Sequence, residues 1–237
     1  MSRGNAIAVT PAGFSLVELA IVLLILGLLT GGGLTVWQVQ AERAQRQQQA
    51  EQLEAIREAL YGYAVSARHL PCPDTDYPPD GRENRDPDGA CRAAEGALPG
   101  AELGIGRADA WGRPLRYRVT PDFARQTDTG VVAFGLDDDG DVRVVDAAGD
   151  ALATAAPAAV ISFGVQGGAV WRADGPDCPG LAEGFSTRAS RNCDASSATF
   201  VDAGYREDGG DGAFKHQLTW LSGPVLKARM IAAGWLP

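Results

Sequence analysis

The chain has 237 residues, 45% of them apolar, with 21 Lys and Arg against 30 Asp and Glu, four Cys and two His. That is material for one large domain or two small ones. A formal net charge of -9, with no run of Lys or Arg to offset it, sets any nucleic-acid partner against overall repulsion and argues against one.

In chain order, the first feature is a stretch of 23 residues, 19 to 41, without a charge, bounded by Glu18 and Glu42. Leu19 to Val36 reads LAIVLLILGLLTGGGLTV. Extended to Trp37 it is long enough, at a helical rise of about 1.5 Å per residue, to cross a hydrocarbon layer, so a single membrane span at 19–37 is expected. Gly27 and Gly31 to Gly33 soften it, each costing a helix interior roughly 1 kcal/mol relative to Ala. A secretory signal peptide or a plain amino-terminal anchor is the simplest reading of such a segment. Neither needs Glu18, which stands at the edge of the run among Leu16, Val17, Leu19 and Ala20, where an ionisable group is costly unless a partner neutralises it.

Gly13-Phe14-Ser15-Leu16-Val17-Glu18 followed by a long apolar helix resembles the processing site of type IV pilins and type II secretion pseudopilins, over roughly residues 13 to 36. The resemblance implies a leader at 1–13, cleavage by a prepilin peptidase between Gly13 and Phe14, and methylation of the new amino group of Phe14. It further implies that the Glu18 carboxylate pairs with the Phe14 ammonium of a neighbouring subunit, turning a costly charge into a register device between subunits. Filament packing in the family melts part of this helix, which gives the glycines a use. The implied partners are other pilin or pseudopilin subunits, the prepilin peptidase and an inner-membrane assembly platform. No Lys or Arg of this leader stands close to Gly13.

Beyond the span, Gln38 to Gln52 is polar and built from helix formers, so the helix is expected to continue. Leu53, Ile56, Leu60 and Tyr63 then form one apolar stripe that needs a surface to lie on. The helix is expected to stop near Ser66, because Leu70-Pro71-Cys72-Pro73 cannot continue it. The domain organisation is therefore a leader at 1–13, a helix at 14–66 containing the span, and a head at 67–237. Residues 74 to 112 are rich in Pro and Gly and read as a long ordered loop. Short apolar runs at Leu115 to Val119, Val131 to Phe134, Val142 to Val145, Ala158 to Phe163, Ala169 to Trp171 and Leu218 to Leu221 read as an antiparallel sheet. A last short helix is expected between Ser222 as N-cap and Gly234 as its stop. The expected fold class is α+β and pilin-like, a long N-terminal helix, membrane-spanning in its first half, packed on an antiparallel head.

A second resemblance reaches further along the chain. Leu70-Pro71-Cys72-Pro73, Cys91, Gly96-Ala97-Leu98-Pro99 and Asp109-Ala110-Trp111-Gly112-Arg113-Pro114 are similar to the heads of larger pilin-like proteins, as is the ending from Leu218 to Pro237. The Asp109 to Gly112 turn is also met in the major pseudopilin subunit, where it leads into the sheet, and a structural rather than a catalytic role is expected for it.

Cys72 and Cys91, and Cys178 and Cys193, fall in loop-like sequence and are expected to form two local disulfides, ahead of other pairings or a metal, since there is no C-x-x-C and only His69 and His216 to help. Asp137, Asp139 and Asp141 cluster carboxylates between two strand candidates; calcium there competes with a solvated hairpin turn, and an EF-hand is excluded because Gly140 is fourth rather than sixth and Ala148 stands where the closing Glu belongs. Major pseudopilins carry a calcium site in the head. His69 and His216 have no nucleophile motif between them, so no catalytic residue is assigned and the protein is not expected to be an enzyme. Arg107, Arg113, Arg116 and Arg118 are the basic cluster, read as a solvated face or a subunit contact.

The expected function is that of a minor pilin or pseudopilin: a single-pass inner-membrane subunit with a periplasmic head, drawn after cleavage into a type IV pilus or type II secretion filament that is periplasmic or extracellular. The alternatives are a filament-displayed adhesive or ligand-binding head, and a membrane-anchored periplasmic enzyme.

Overall fold

The structure, a computed structural model, describes residues 15–127, 130–172, 175–176, 186–194, 197–206 and 212–237, and the side chains of these except at 28–39, 169, 172 and 175–176. Helix α1 (Leu16–Ala67) begins where Ser15 Oγ accepts the Val17 N–H at 3.3 Å and the Ser15 carbonyl accepts the Leu19 N–H. It ends at Arg68, whose φ of 70° lies in the left-handed region that terminates helices. The chain divides into two units, Met1–Ala44 and Gln45–Pro237.

In the first unit the structure corrects the sequence reading. Among the described residues, no helix is long and apolar enough to cross a membrane. The described apolar side chains run from Leu16 to Leu26 and all are exposed. The expected span at 19–37 is thereby overturned. With it go the fold class built on a membrane-spanning half-helix and the single-pass inner-membrane placement with a periplasmic head.

In the second unit, α1 continues from Gln45 and buries Leu53, Ile56, Leu60, Tyr61 and Ala64. The remaining elements are β1 (Glu95–Ala97), β2 (Arg116–Val119), α2 (Pro121–Ala124), β3 (Val142–Val145), β4 (Ala151–Ala156), β5 (Ala158–Ser162), a 3-10 turn (Gly164–Gln166), α3 (Gly167–Val170), β6 (Trp171–Arg172), β7 (Gly175–Pro176), α4 (Thr187–Arg191), β8 (Thr199–Val201), β9 (Gln217–Trp220) and α5 (Gly223–Ala232). The protein is α+β. One sheet has the order β1-β2-β5-β9 and is antiparallel throughout. A second has the order β4-β3-β8, with β3 parallel to β8, so the head is not one antiparallel sheet.

β5 is the hinge of the core, buried at all five positions. Successive side chains of a strand point to opposite faces. Ala158 and Val160 accordingly join Leu53, Ile56, Leu60, Tyr117 and Leu226 in one cluster, while Ala159 and Ile161 join Val142, Val144, Phe163 and Phe200 in the other. Two expected strands are lost in whole or in part. Val131 to Phe134 forms none; its Phe134 ring stacks on Phe123 at 4.5 Å instead. Ala169 lies in α3. The loop expected at 74–112 contains β1, and β4 and β8 were not foreseen.

Candidate functional site

Helix α1 presents Leu16, Val17, Leu19, Ile21, Val22, Leu23, Leu24 and Ile25 to solvent, each at least 49% exposed. Isolated exposed apolar residues are ordinary, but a continuous run of this size marks a surface that something covers. Among residues 15 to 27 Glu18 is the sole charge, and it is exposed in the first turn, where unsatisfied backbone amides favour a carboxylate. Gly13 and Phe14, the expected cleavage pair, lie outside the described residues.

In the head, Cys72 and Cys91 are joined by a disulfide with Cα atoms 5.2 Å apart. Cys193 is also disulfide-bonded, and Cys178, its expected partner, lies outside the described residues. The loop closed by the first bridge is organised around Arg85. Its guanidinium donates to the carbonyls of Ala124, Gly89 and Leu70 and to both oxygens of Glu83, whose Oε2 accepts the Cys72 N–H at 2.8 Å. His69 Nδ1 sits 2.9 Å from both the Leu70 carbonyl and the guanidinium, so the neutral ring donates to the first or accepts from the second. Burial, chiefly, holds this ring below its ordinary pKa. Nearby Tyr63 is pushed up to about 12, again mainly by burial.

The basic cluster read from sequence does not form a face. Arg107 donates to the Asp80 carbonyl at 2.6 Å, and Arg113 packs against Gly167 and Gly168. Arg116 is buried, ion-paired with Glu95, and donates to the Cys193 carbonyl at 2.6 Å; burial brings its pKa down to about 10. Arg118 meets Glu95 at 3.6 Å and Asp141 at 2.8 Å. One carboxylate on β1 thus neutralises two guanidinium groups of β2, and nothing local in the sequence marked Glu95 for that task.

Asp141 places one oxygen on Arg118 and accepts the Thr120 hydroxyl on the other at 2.8 Å, while its N–H donates back to Thr120 Oγ1. Asp139 faces Lys227 at 3.8 Å. Asp137 belongs to the same turn, in which Asp138 accepts the Gly135 N–H at 2.7 Å. A different trio, Asp74, Asp76 and Asp80, brings its carboxylates within 4.8 Å of one another. Asp74 is 1% exposed and spends its two oxygens on the N–H groups of Asp76 and Gly81. Burial raises its pKa.

The Asp109 turn is held by its own carboxylate. Asp109 Oδ1 accepts the N–H groups of Trp111 and Arg113 at 2.9 Å, and Oδ2 accepts the Ser162 hydroxyl at 2.7 Å, tying the turn to the end of β5. His216 lies in the second core between Phe163 and Phe214, at 4.9 and 5.2 Å, far from the His69 cluster in the chain and in a different part of the core. Burial takes its pKa down to about 3.

No family model, curated protein or solved structure matches this chain.

Proposed function

We propose that this protein is a filament subunit of the pilin class, a minor pilin or pseudopilin, whose work is assembly rather than catalysis. A prepilin peptidase removes residues 1 to 13, and the subunit joins other pilin or pseudopilin subunits of a type IV pilus or type II secretion filament through the start of α1. The reading rests on one observation: an uncovered run of apolar side chains from Leu16 to Ile25 with Glu18 as its sole charge, directly after the Gly13-Phe14 junction.

The physical logic is that of a self-complementary interface. Packing the apolar run against the same run of neighbouring subunits removes it from water, at about 25 cal/mol per Å² of apolar surface. The contact also strands Glu18 in a medium of low polarity, where an unpaired carboxylate is costly. The α-amino group of a neighbour's Phe14 is the cation that relieves this cost. Apolar packing alone tolerates sliding along the helix; the ion pair fixes the register.

Glu18→Ala and Glu18→Gln test the reading in cells that assemble the filament. Gln keeps a polar side chain in the first turn of α1 and removes only the charge. Both variants are expected to be cleaved and folded yet to lose incorporation into filaments, scored by shearing and immunoblotting. Normal incorporation of the Gln variant would remove the ion pair from the account.

A further inference from the structure

The four-stranded sheet has two edges, and they end differently. Beyond β1, Asp74 exchanges both backbone hydrogen bonds with Ala97, at 2.9 and 2.8 Å, so that edge is occupied by the disulfide-closed loop. At the other edge lies β9, paired with β5 in the register Gln217↔Ser162, Leu218↔Ile161, Thr219↔Val160 and Trp220↔Ala159. The Leu221 N–H donates to the Ala158 carbonyl at 2.9 Å. Bonded and non-bonded pairs alternate along an antiparallel ladder. Thr219 and Gln217 therefore bond β5, and the N–H and C=O of Leu218 and Trp220 point away from it. Among the described residues no other strand pairs with that side.

A groove of about 440 Å³ opens along this edge. α1 supplies Glu51 and Glu54, the segment after β8 supplies Asp202 and Tyr205, and β9 supplies Gln217 and Leu218. Its charged lining residues are three carboxylates, with no Lys or Arg among them. Arg57 pairs with Glu54 at 2.5 Å, whereas Glu51 and Asp202 meet no cation among the described residues. Gln217 adds a buried Oε1 with no hydrogen-bond partner. The strand itself, Gln-Leu-Thr-Trp, carries none of the charges or prolines with which exposed edges are usually blunted. The groove thus carries three carboxylates beside a strand edge that no described strand pairs with, and besides Arg57 a further cation, Arg46, is placed against its lining, its guanidinium over the Tyr205 ring at 3.9 Å.

We propose that β9 is a docking edge for an extended cationic segment of a partner protein, added to the sheet as a further strand. Backbone hydrogen bonds to Leu218 and Trp220 supply the binding, and Lys or Arg side chains facing Glu51 and Asp202 supply the selection. This goes beyond the filament reading and does not depend on it, since it uses the head alone.

The test uses the full chain and a dye-labelled peptide, Lys-Val-Lys-Arg-Val-Lys, followed by fluorescence anisotropy. Two control peptides carry Pro in place of both Val residues, which keeps every cation, or Glu in place of every cation. Saturable binding of the first peptide is expected, about tenfold or more weaker for the Pro peptide and absent for the Glu peptide. Glu51→Gln combined with Asp202→Asn, two surface changes, is expected to weaken it by a similar factor. Hydrogen exchange at the Leu218 and Trp220 amides should slow when the peptide is bound. The proposal is overturned by no saturable binding, by equal binding of the Pro peptide, which would leave only a charged surface, by an unaffected double variant, or by unchanged exchange at the two amides.

Discussion

The two edges of the four-stranded sheet show how differently one fold treats the same liability. At β1 the unpaired backbone is taken up by Asp74, in a loop that is covalently closed at Cys72–Cys91 and stapled through Arg85. Gly96 lies so close beneath it that a Cβ there would stand 2.3 Å from the Asp74 carbonyl oxygen. At β9 the strand faces a groove. Covering an edge costs many specific residues, and this chain provides them on one side. Among the described residues no strand pairs with the outer side of β9, whereas Asp74 takes up the outer side of β1.

The contrast can be broken most severely at the covered edge. Glu95→Ala takes from the buried Arg116 its direct ion-pair partner, and a loss of about 3–5 kcal/mol in urea unfolding is expected. Replacing Cys72 and Cys91 together by Ala is expected to cost about 3 kcal/mol, the chain-entropy value for a loop of this size, and to speed hydrogen exchange at Ala97. At the open edge the leading effect is one of pH. The folded His216 ring, at about 3, lies below the ordinary value of about 6.5 for an unfolded histidine, so the unfolded chain binds more protons between the two. Its contribution to stability is complete above about pH 6.5 and is lost as pH falls toward 3; His216→Gln should flatten that limb of the pH–stability curve. The smallest effect is expected from Gln217→Val, within about 1 kcal/mol, because the Oε1 it removes is buried without a partner and its Nε2 bond to the Arg46 carbonyl is long at 3.2 Å.

What the sequence discloses divides along the same line between local and distant causes. The end of α1 near Ser66, the strand at Val142 to Val145, the helix between Ser222 and Gly234, and the Cys72–Cys91 bridge all follow from neighbouring residues, and the structure has them at or within about a residue of those positions. β1 and β8 are three residues long, too short for an alternation to announce a strand even where β8 reads Thr-Phe-Val, and β4 reads Ala-Leu-Ala-Thr-Ala-Ala, with one β-branched residue. They exist because β2 and β3 offer them partners. Val131 to Phe134 has the opposite history: its composition promises a strand, and packing of Phe134 on Phe123 overrides it. Glu95 and Arg85 act on groups distant in the chain, so no spacing rule singles them out. The uncharged run from 19 to 41 misled for a related reason, since the absence of charge does not by itself distinguish a membrane span from a helix that carries its apolar side chains on an exposed surface, as Leu16 to Leu26 do.

The most direct measurement is the intact mass of the protein recovered from cells that carry a prepilin peptidase. The account predicts loss of residues 1 to 13 and one added methyl group on Phe14. A full-length mass, or a cut at any other position, would contradict it.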